Sequence, residues 1–479
     1  MAIHIPLLRA GKPCKRLDAA PVNDYRTGEP VAGLSQANPG IIARELRPTA
    51  PGPRALRSMP AREIVRRCKS VARHFLEDEL PLGETSQNPE DYLRCLSRTT
   101  GLPRVLARKN MEKIAGALAS VDAIIDGLTR GLDLSVLDSG YVESSGRVHS
   151  FAAQSDWLGA VLPSNSPGVH TLWVPAVALK AGLALKPGRE EPWPPYRVIQ
   201  SLIRAGLPAE AFCFPPTSHE GAREILIKAG RSLIFGDAAT VRPWEGDPRV
   251  QIHGPGCSKV VLGPEGAAHR ETSLDVMISS ILENGGRSCI NASGVWTPCH
   301  GREIAEALAR RLAQVEALDL EDDRAQLAAF VNPEFARRIS ATIDQALDTS
   351  VAEDLTLRHR GTPRLAEKNG STYLLPTVVW CSDPDHPLAN REFLFPFASV
   401  VELPAAEIPH RIGPTLVAAA ITADPALTES LLASTHVDRL NIGPTPTWKI
   451  GWDQPHEGIL FEFLYRRRAF QKTPLAASA

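Results

Sequence analysis

Between Trp157 and Phe235 the hydrophobic pattern switches back and forth between short β-like runs and helical spacing, and this alternation constrains the fold of the 479-residue chain more than any other feature. Trp157 to Leu162 reads as a strand, followed by the turn Pro163-Ser164-Asn165-Ser166-Pro167-Gly168 and a helix-like run from Val169 to Lys180 interrupted by Pro175. Gly182 breaks that run ahead of a strand at Leu183–Leu185, which ends in Lys186-Pro187-Gly188. A helix at Tyr196–Ala205, a strand at Ala211–Phe214, a helix at His219–Ala229 and a strand at Ser232–Phe235 complete the series. Strand and helix taking turns in this way predicts βαβ units around a parallel sheet. Such sheets bind ligands beyond the carboxyl ends of their strands, so Asn165, Lys186 and Gly236 become candidate site residues.

The flanking regions differ. Residues 1–58 are rich in Pro and Gly, with turns at Gly11-Lys12-Pro13, Thr27-Gly28 and Asn38-Pro39-Gly40, which predicts extended arms or hairpins and no long helix. Apolar residues at helical spacing predict amphipathic helices from Pro60 and across Arg108–Leu132. Downstream, Glu303–Leu318 reads as a helix, and Phe397–Leu403 and Leu416–Ile421 read as apolar strands of a second α/β unit.

With 53 basic and 54 acidic residues the chain carries no electrostatic footprint for nucleic acid or anionic lipid, which points to a small-molecule partner. Its eight cysteines are scattered without a CxxC pair or a Cys/His cluster, so neither a metal site nor a disulfide framework is expected. No apolar run is long enough to span a bilayer, and the N-terminus lacks the apolar core of a signal peptide. A soluble cytoplasmic protein is expected.

The chemistry concentrates in Leu282–Pro298. Cys289 follows the pair Gly285-Gly286, which can bring backbone close to a ligand, and precedes the apolar Val295-Trp296 of a buried strand. It is the best nucleophile candidate in the chain; the competing reading is a small apolar residue in a packed core.

Five motifs in order carry a family resemblance. They are Pro163-x-Asn165-x-Pro167 after a strand, Ala181-Gly182-x-x-Leu185-Lys186-Pro187, Ala205-Gly206-Leu207-Pro208, the Gly-x-x-Cys ending at Cys289, and Glu392-x-x-x-Pro396. Together they resemble the aldehyde dehydrogenase superfamily from about Gly11 to Phe470. The resemblance implies an α/β fold with two Rossmann-like domains built on parallel sheets, plus a β-strand oligomerisation arm. The expected division is an N-terminal arm and dinucleotide-binding domain over 1–255, a catalytic domain over 256–440, and a return segment with the oligomerisation strand over 441–479. A late strand, Gly458–Phe470, is expected to join a partner subunit in a homodimer or homotetramer, with an edge strand inside one subunit as the alternative.

By the same resemblance, the Cys289 thiolate attacks an aldehyde and forms a thioester after hydride transfer to NAD or NADP. The Asn165 amide and the Cys289 backbone N–H would hold the oxyanion. Lys186 and Pro187 would sit at the adenosine ribose, Gly236 at the phosphates, and Glu392 at the nicotinamide ribose. Arg189 stands where NAD-preferring members tend to carry a glutamate, which raises the prospect of a 2′-phosphate; a surface arginine is the competing reading.

Departures from the family pattern matter as much. No Gly-x-Gly-x-x-Gly is present, and the segment that meets the phosphates reads Phe235-Gly236-Asp237-Ala238, adding a carboxylate where hydroxyls are usual. The glutamate that activates water in hydrolytic members is missing, and His253 occupies its place in Ile252-His253-Gly254-Pro255-Gly256. Three outcomes follow: acyl release to coenzyme A or phosphate, hydrolysis with His253 as base, or a family member that kept the fold as a binding protein without turnover.

Overall fold

The computed structural model describes residues 3–47, 50–348, 351–454 and 459–472. The alternating segment forms a five-stranded parallel sheet from β1 (Trp157–Val161), β2 (Gly182–Lys186), β3 (Phe212–Cys213), β4 (Gly230–Phe235) and β5 (Val250–His253). Its order is β3-β2-β1-β4-β5. The strand order reverses at β1 and opens a crevice beyond the carboxyl ends of β1 and β4. Leu158, Ala160, Leu183, Leu185, Leu233 and Phe235 face one core, while Trp157 and Ala184 face a second on the other side of the sheet.

A second sheet of seven strands follows: β6 (Ser258–Leu262), β7 (Ala292–Thr297), β8 (Ala352–Asp354), β9 (Thr377–Cys381), β10 (Phe397–Glu402), β11 (Thr415–Ile421) and β12 (Val437–Ile442). Its order is β8-β9-β10-β7-β6-β11-β12, and only β8 runs antiparallel to its neighbour. Val260, Val295, Val378, Val400 and Ala419 point into one core, and Val261, Trp296, Val379, Val401 and Ala420 into the other. Burial on both faces explains why these strands read as unbroken apolar runs rather than alternating ones.

The long amphipathic stretch resolves into two helices, Arg104–Ala119 and Val121–Thr129, joined at Ser120. The expected helix from Pro60 spans Ala61–Glu77, and the N-terminal arm contributes short strands and two helices of seven and eight residues.

The tail differs from expectation. Gly458 lies outside the described residues, Leu460–Leu464 is helical, and only Tyr465–Arg468 is a strand. Phe461, Phe463 and Tyr465 alternate in sequence, yet Leu460, Phe461, Leu464 and Tyr465 also satisfy helical spacing, and burial of all four against the first core selects the helix. The strand pairs antiparallel with Arg147–Ala153 of the same chain, and Tyr141–Ser144 occupies that strand's other side. Tyr465–Arg468 is therefore the edge of a three-stranded sheet. No helix among the described residues is long and apolar enough to cross a membrane.

Candidate active site

A cleft of about 950 Å³ opens between the carboxyl ends of the first sheet and the loop that enters β7. Asn165, Gly236, His253, Cys289 and Glu392 all line it, although they lie as far apart in sequence as residues 165 and 392.

The loop carrying Cys289 is built from residues that cannot be replaced freely. Asn284, Gly285 and Gly286 are consecutively left-handed, with φ of 53°, 65° and 70°. A Cβ on Gly286 would fall 2.3 Å from the Pro396 nitrogen. Gly286 thus brings its backbone against Phe395-Pro396 and joins the cysteine motif to the Glu392-x-x-x-Pro396 motif, while Gly285 faces the Ala328 backbone. Side-chain amides hold the rest of the loop. Asn284 Nδ2 donates to Ser166 Oγ at 3.0 Å and to Ser288 Oγ at 3.1 Å, and its Oδ1 accepts from Asn110 Nδ2 at 2.7 Å. The backbone N–H of Ser288 donates to Asn291 Oδ1 at 2.8 Å, and Ser258 Oγ donates to the Cys289 carbonyl at 2.9 Å. Cys289 is partly exposed and packs beside Ile290, Leu416 and Val417, at the cleft wall rather than inside a sealed core.

Asn165 reaches this loop from the turn after β1. Its Nδ2 donates to the Arg287 carbonyl at 2.9 Å, which leaves a second N–H on the same amide. Arg287 had no signal in the sequence. It is buried, its guanidinium donates to the carbonyls of Thr100 and Ala329, and it lies over the Phe330 ring at 5.5 Å. Burial lowers it to about 10, opposed by nearby Glu191, so it remains charged at neutral pH.

Glu392 is tied down from the other side. The Cys257 backbone N–H donates to its Oε2 at 2.7 Å, with Cys257 itself left-handed at φ 43°. Burial pushes its carboxyl up to about 7, against the Cys257 and Gly256 N–H groups and Lys259, which favour the ionised form. Lys259 donates to the Cys257 carbonyl at 2.7 Å and to Thr415 Oγ1 at 3.0 Å, and burial lowers it to about 8.

The remaining candidates divide. Lys186 closes β2, its carbonyl accepts from the Leu162 N–H at 2.9 Å, and burial lowers its amine while Glu190 raises it. Pro187 is buried, and a Cβ on Gly188 would meet the Pro163 carbonyl at 2.2 Å, so the turns after β1 and β2 lie against one another. Arg189 is exposed and, with Lys186 and Pro187, does not line the cleft, whereas Glu190 does. Gly236 follows β4, and a Cβ there would crowd Thr240 at 2.7 Å. The Asp237 carboxylate accepts from the Thr240 N–H at 2.8 Å and is held below its usual range, so it caps its own short helix. His253, at the end of β5, is buried with its ring stacked on Phe235 at 4.4 Å and 16°. No group of three or more His, Cys, Asp or Glu placed to hold a metal occurs among the described residues.

These residues fit a dinucleotide. The crevice lies at the reversal of strand order, the Glu392 carboxylate meets the cleft, and the Lys186 ammonium stands at the end of β2 beside Glu190, which does line the cleft.

Comparison with known proteins gives the family and the fold. The sequence profile of the aldehyde dehydrogenase family matches residues 83–408. Curated protein sequences give no match. Among solved structures, the aldehyde dehydrogenase KauB from Pseudomonas aeruginosa superposes with a TM-score of 0.78 at 14% identity, covering 98% of this chain and 97% of that one. The NAD-dependent aldehyde dehydrogenase from Sinorhizobium meliloti gives 0.76 at 16% identity, covering 100% and 97%. Aldehyde dehydrogenase 21 from Physcomitrella patens, in complex with succinate, gives 0.76 at 15% identity, covering 98% of each chain.

Proposed function

Because this chain belongs to the aldehyde dehydrogenase family, and so to the NAD(P)-dependent oxidoreductases that act on aldehydes, we propose that Cys289 is its nucleophile and that the acyl group leaves to coenzyme A or phosphate rather than to water. The Cys289 thiolate adds to the aldehyde carbon, giving a tetrahedral alkoxide that the Asn165 N–H not given to the Arg287 carbonyl would hold. NAD or NADP, when bound, accepts the hydride from that carbon. Collapse of the alkoxide then leaves a thioester on Cys289, and attack by the acceptor releases the acyl product and returns the thiolate. Lys186 with Pro187 on the ribose side and Glu392 on the nicotinamide side are the residues assigned to the dinucleotide. Gly236 would lie by its phosphates, with Asp237 turned into its own cap. Arg189 is the residue that would meet a 2′-phosphate.

One observation carries the acyl-transfer reading: the position of the water-activating glutamate holds His253, packed face-on against Phe235. A ring fixed by stacking lacks the freedom of a carboxylate that swings toward a thioester. In the alternative reading, His253 is nonetheless the base and water is the acceptor.

Residues 1–255, 256–440 and 441–479 serve as cofactor-binding, catalytic and return units in this scheme. The edge strand Tyr465–Arg468 is the surface through which a homodimer or homotetramer would form.

The test is NAD(P)H formation from a panel of aldehydes, with and without coenzyme A or phosphate. Turnover that requires an acceptor supports the reading. Rapid steady-state turnover in plain buffer overturns it, and its loss in His253→Gln with the first burst retained would assign the base to His253. Silence throughout, with no cofactor-induced rise in melting temperature, would favour a binding protein.

A further inference from the structure

Helix Arg104–Ala119 passes along the cleft and sends two polar side chains from one face, Asn110 and Lys113, spaced i and i+3. Asn110 anchors the cysteine loop through Asn284. Lys113 has a different environment. It lines the same cleft as Asn165, Ser288 and Cys289, and it belongs to none of the motifs that carry the family resemblance. Its ammonium approaches the turn after β1 where the chain has a glycine: a Cβ on Gly168 would lie 3.6 Å from Lys113 Nζ and 3.2 Å from Asn110 Oδ1.

The titratable groups that act on Lys113 are Cys289 and Glu283. Burial lowers the amine, while both of those groups favour its charged form. The charges that favour the Lys113 ammonium are thus the Cys289 thiolate and the Glu283 carboxylate. Lysine normally extends its head group into water along an apolar stem. One held in a cleft wall instead acts on a charge that appears there. Cys289 can supply that charge, because only its thiolate is nucleophilic.

We propose that Lys113 is a positioning residue whose ammonium stabilises the Cys289 thiolate and thereby sets the pH range over which the nucleophile reacts. The inference rests on Cys289 being the nucleophile but not on the identity of the acyl acceptor. The charge acts through space: no proton need pass between the two groups, and a permanent cation at position 113 serves as well as lysine.

The experiment is alkylation of the full-length protein with iodoacetamide across pH 5.5–9.5, followed by mass spectrometry of the Cys289 peptide so that the other cysteines do not contribute. In the wild type the midpoint should fall below the value of about 8.5 for an ordinary thiol. Lys113→Met should raise it by about one pH unit, a roughly tenfold loss of Cys289 labelling at pH 7, and Lys113→Arg should restore labelling to within about threefold. Lys113→Gln, with melting temperatures for all variants, covers the case in which the Met variant folds poorly. An unchanged midpoint in folded Lys113→Met or Lys113→Gln overturns the proposal, as does an Arg variant no better than Met. A loss seen with iodoacetate but not with iodoacetamide also overturns it, since the lysine would then only be drawing anions into the cleft. Because no turnover is read, failure here is distinguishable from failure of Cys289 as nucleophile, which Cys289→Ala tests separately through loss of aldehyde oxidation.

Discussion

Asn165 gives one amide hydrogen to the Arg287 carbonyl and keeps the other, so a single side chain that orients the cysteine loop also retains the N–H that the proposed oxyanion role requires. Asn165→Ala is expected to lower kcat by about 10²–10³-fold, the usual effect of losing one such donor. KM should change far less; a fall in kcat/KM carried by KM alone would remove the oxyanion role. Glu392 makes a pH-dependent prediction. Its carboxyl is raised to about 7, so it is mostly protonated at pH 6 and mostly ionised at pH 8. Ribose hydroxyls donate to a carboxylate, hence cofactor affinity should rise with pH across this window by up to about tenfold, and Glu392→Gln should flatten the dependence. The stability sign is opposite. A folded-state value above the unfolded one contributes stability below about 4.5, and that contribution is lost as pH rises toward 7. Isothermal titration at pH 6, 7 and 8 checks the first effect, and melting curves from about pH 4.5 to 8 check the second. Residues 165, 289 and 392 were all legible as candidates, since each lies in a spaced motif. Lys113 and Arg287 were not. One sits on an ordinary amphipathic helix, the other in a loop where an arginine signals nothing until its guanidinium is seen buried against Thr100 and Ala329.

At the scale of the element, the turn over 283–286 decides where Cys289 stands. Gly286 is left-handed and its missing side chain is what admits the Phe395-Pro396 backbone. Gly286→Ala is expected to destabilise the protein by at least about 2 kcal/mol in chemical denaturation, combining left-handed strain with a backbone clash, and to reduce Cys289 labelling. Gly254→Ala is the matched control, because a Cβ there meets only Val241 at 3.7 Å and should shift stability by less than about 0.5 kcal/mol. Equal effects of the two substitutions would refute the packing argument. The glycine pair was visible in the sequence, but the packing of Gly286 on Pro396 was not: backbone conformation and the nearness of a segment 110 residues downstream are both tertiary facts. The short helix after β4 offers the converse case. Asp237 looked unfavourable beside a phosphate, and the structure turns its carboxylate onto Thr240 as a cap.

In the whole molecule, the C-terminal segment returns to the first core instead of ending on the second sheet. Phe461 is fully buried, 4.9 Å from Phe151 and stacked on Tyr465 at 5.2 Å, and the Tyr465 hydroxyl donates to the Leu179 carbonyl at 2.8 Å. Phe461→Ala should therefore cost about 3 kcal/mol and lower the melting temperature of the whole chain; a silent substitution would mean that the return segment is not part of the first core. The sequence by itself determined the alternation of strands and helices, the turns at strand ends and the residue types able to do covalent chemistry, because these depend on local periodicity and on side-chain reactivity. Only the tertiary structure decided that β1 to β5 order themselves as 3-2-1-4-5, that Asn165, Cys289 and Glu392 share one cleft, that Lys113 reaches the same wall, and that Leu460–Leu464 is helix rather than strand. Each of those follows from contacts between segments distant in the chain, where burial and sheet order select among local conformations and neighbours that the pattern of residues alone leaves equivalent.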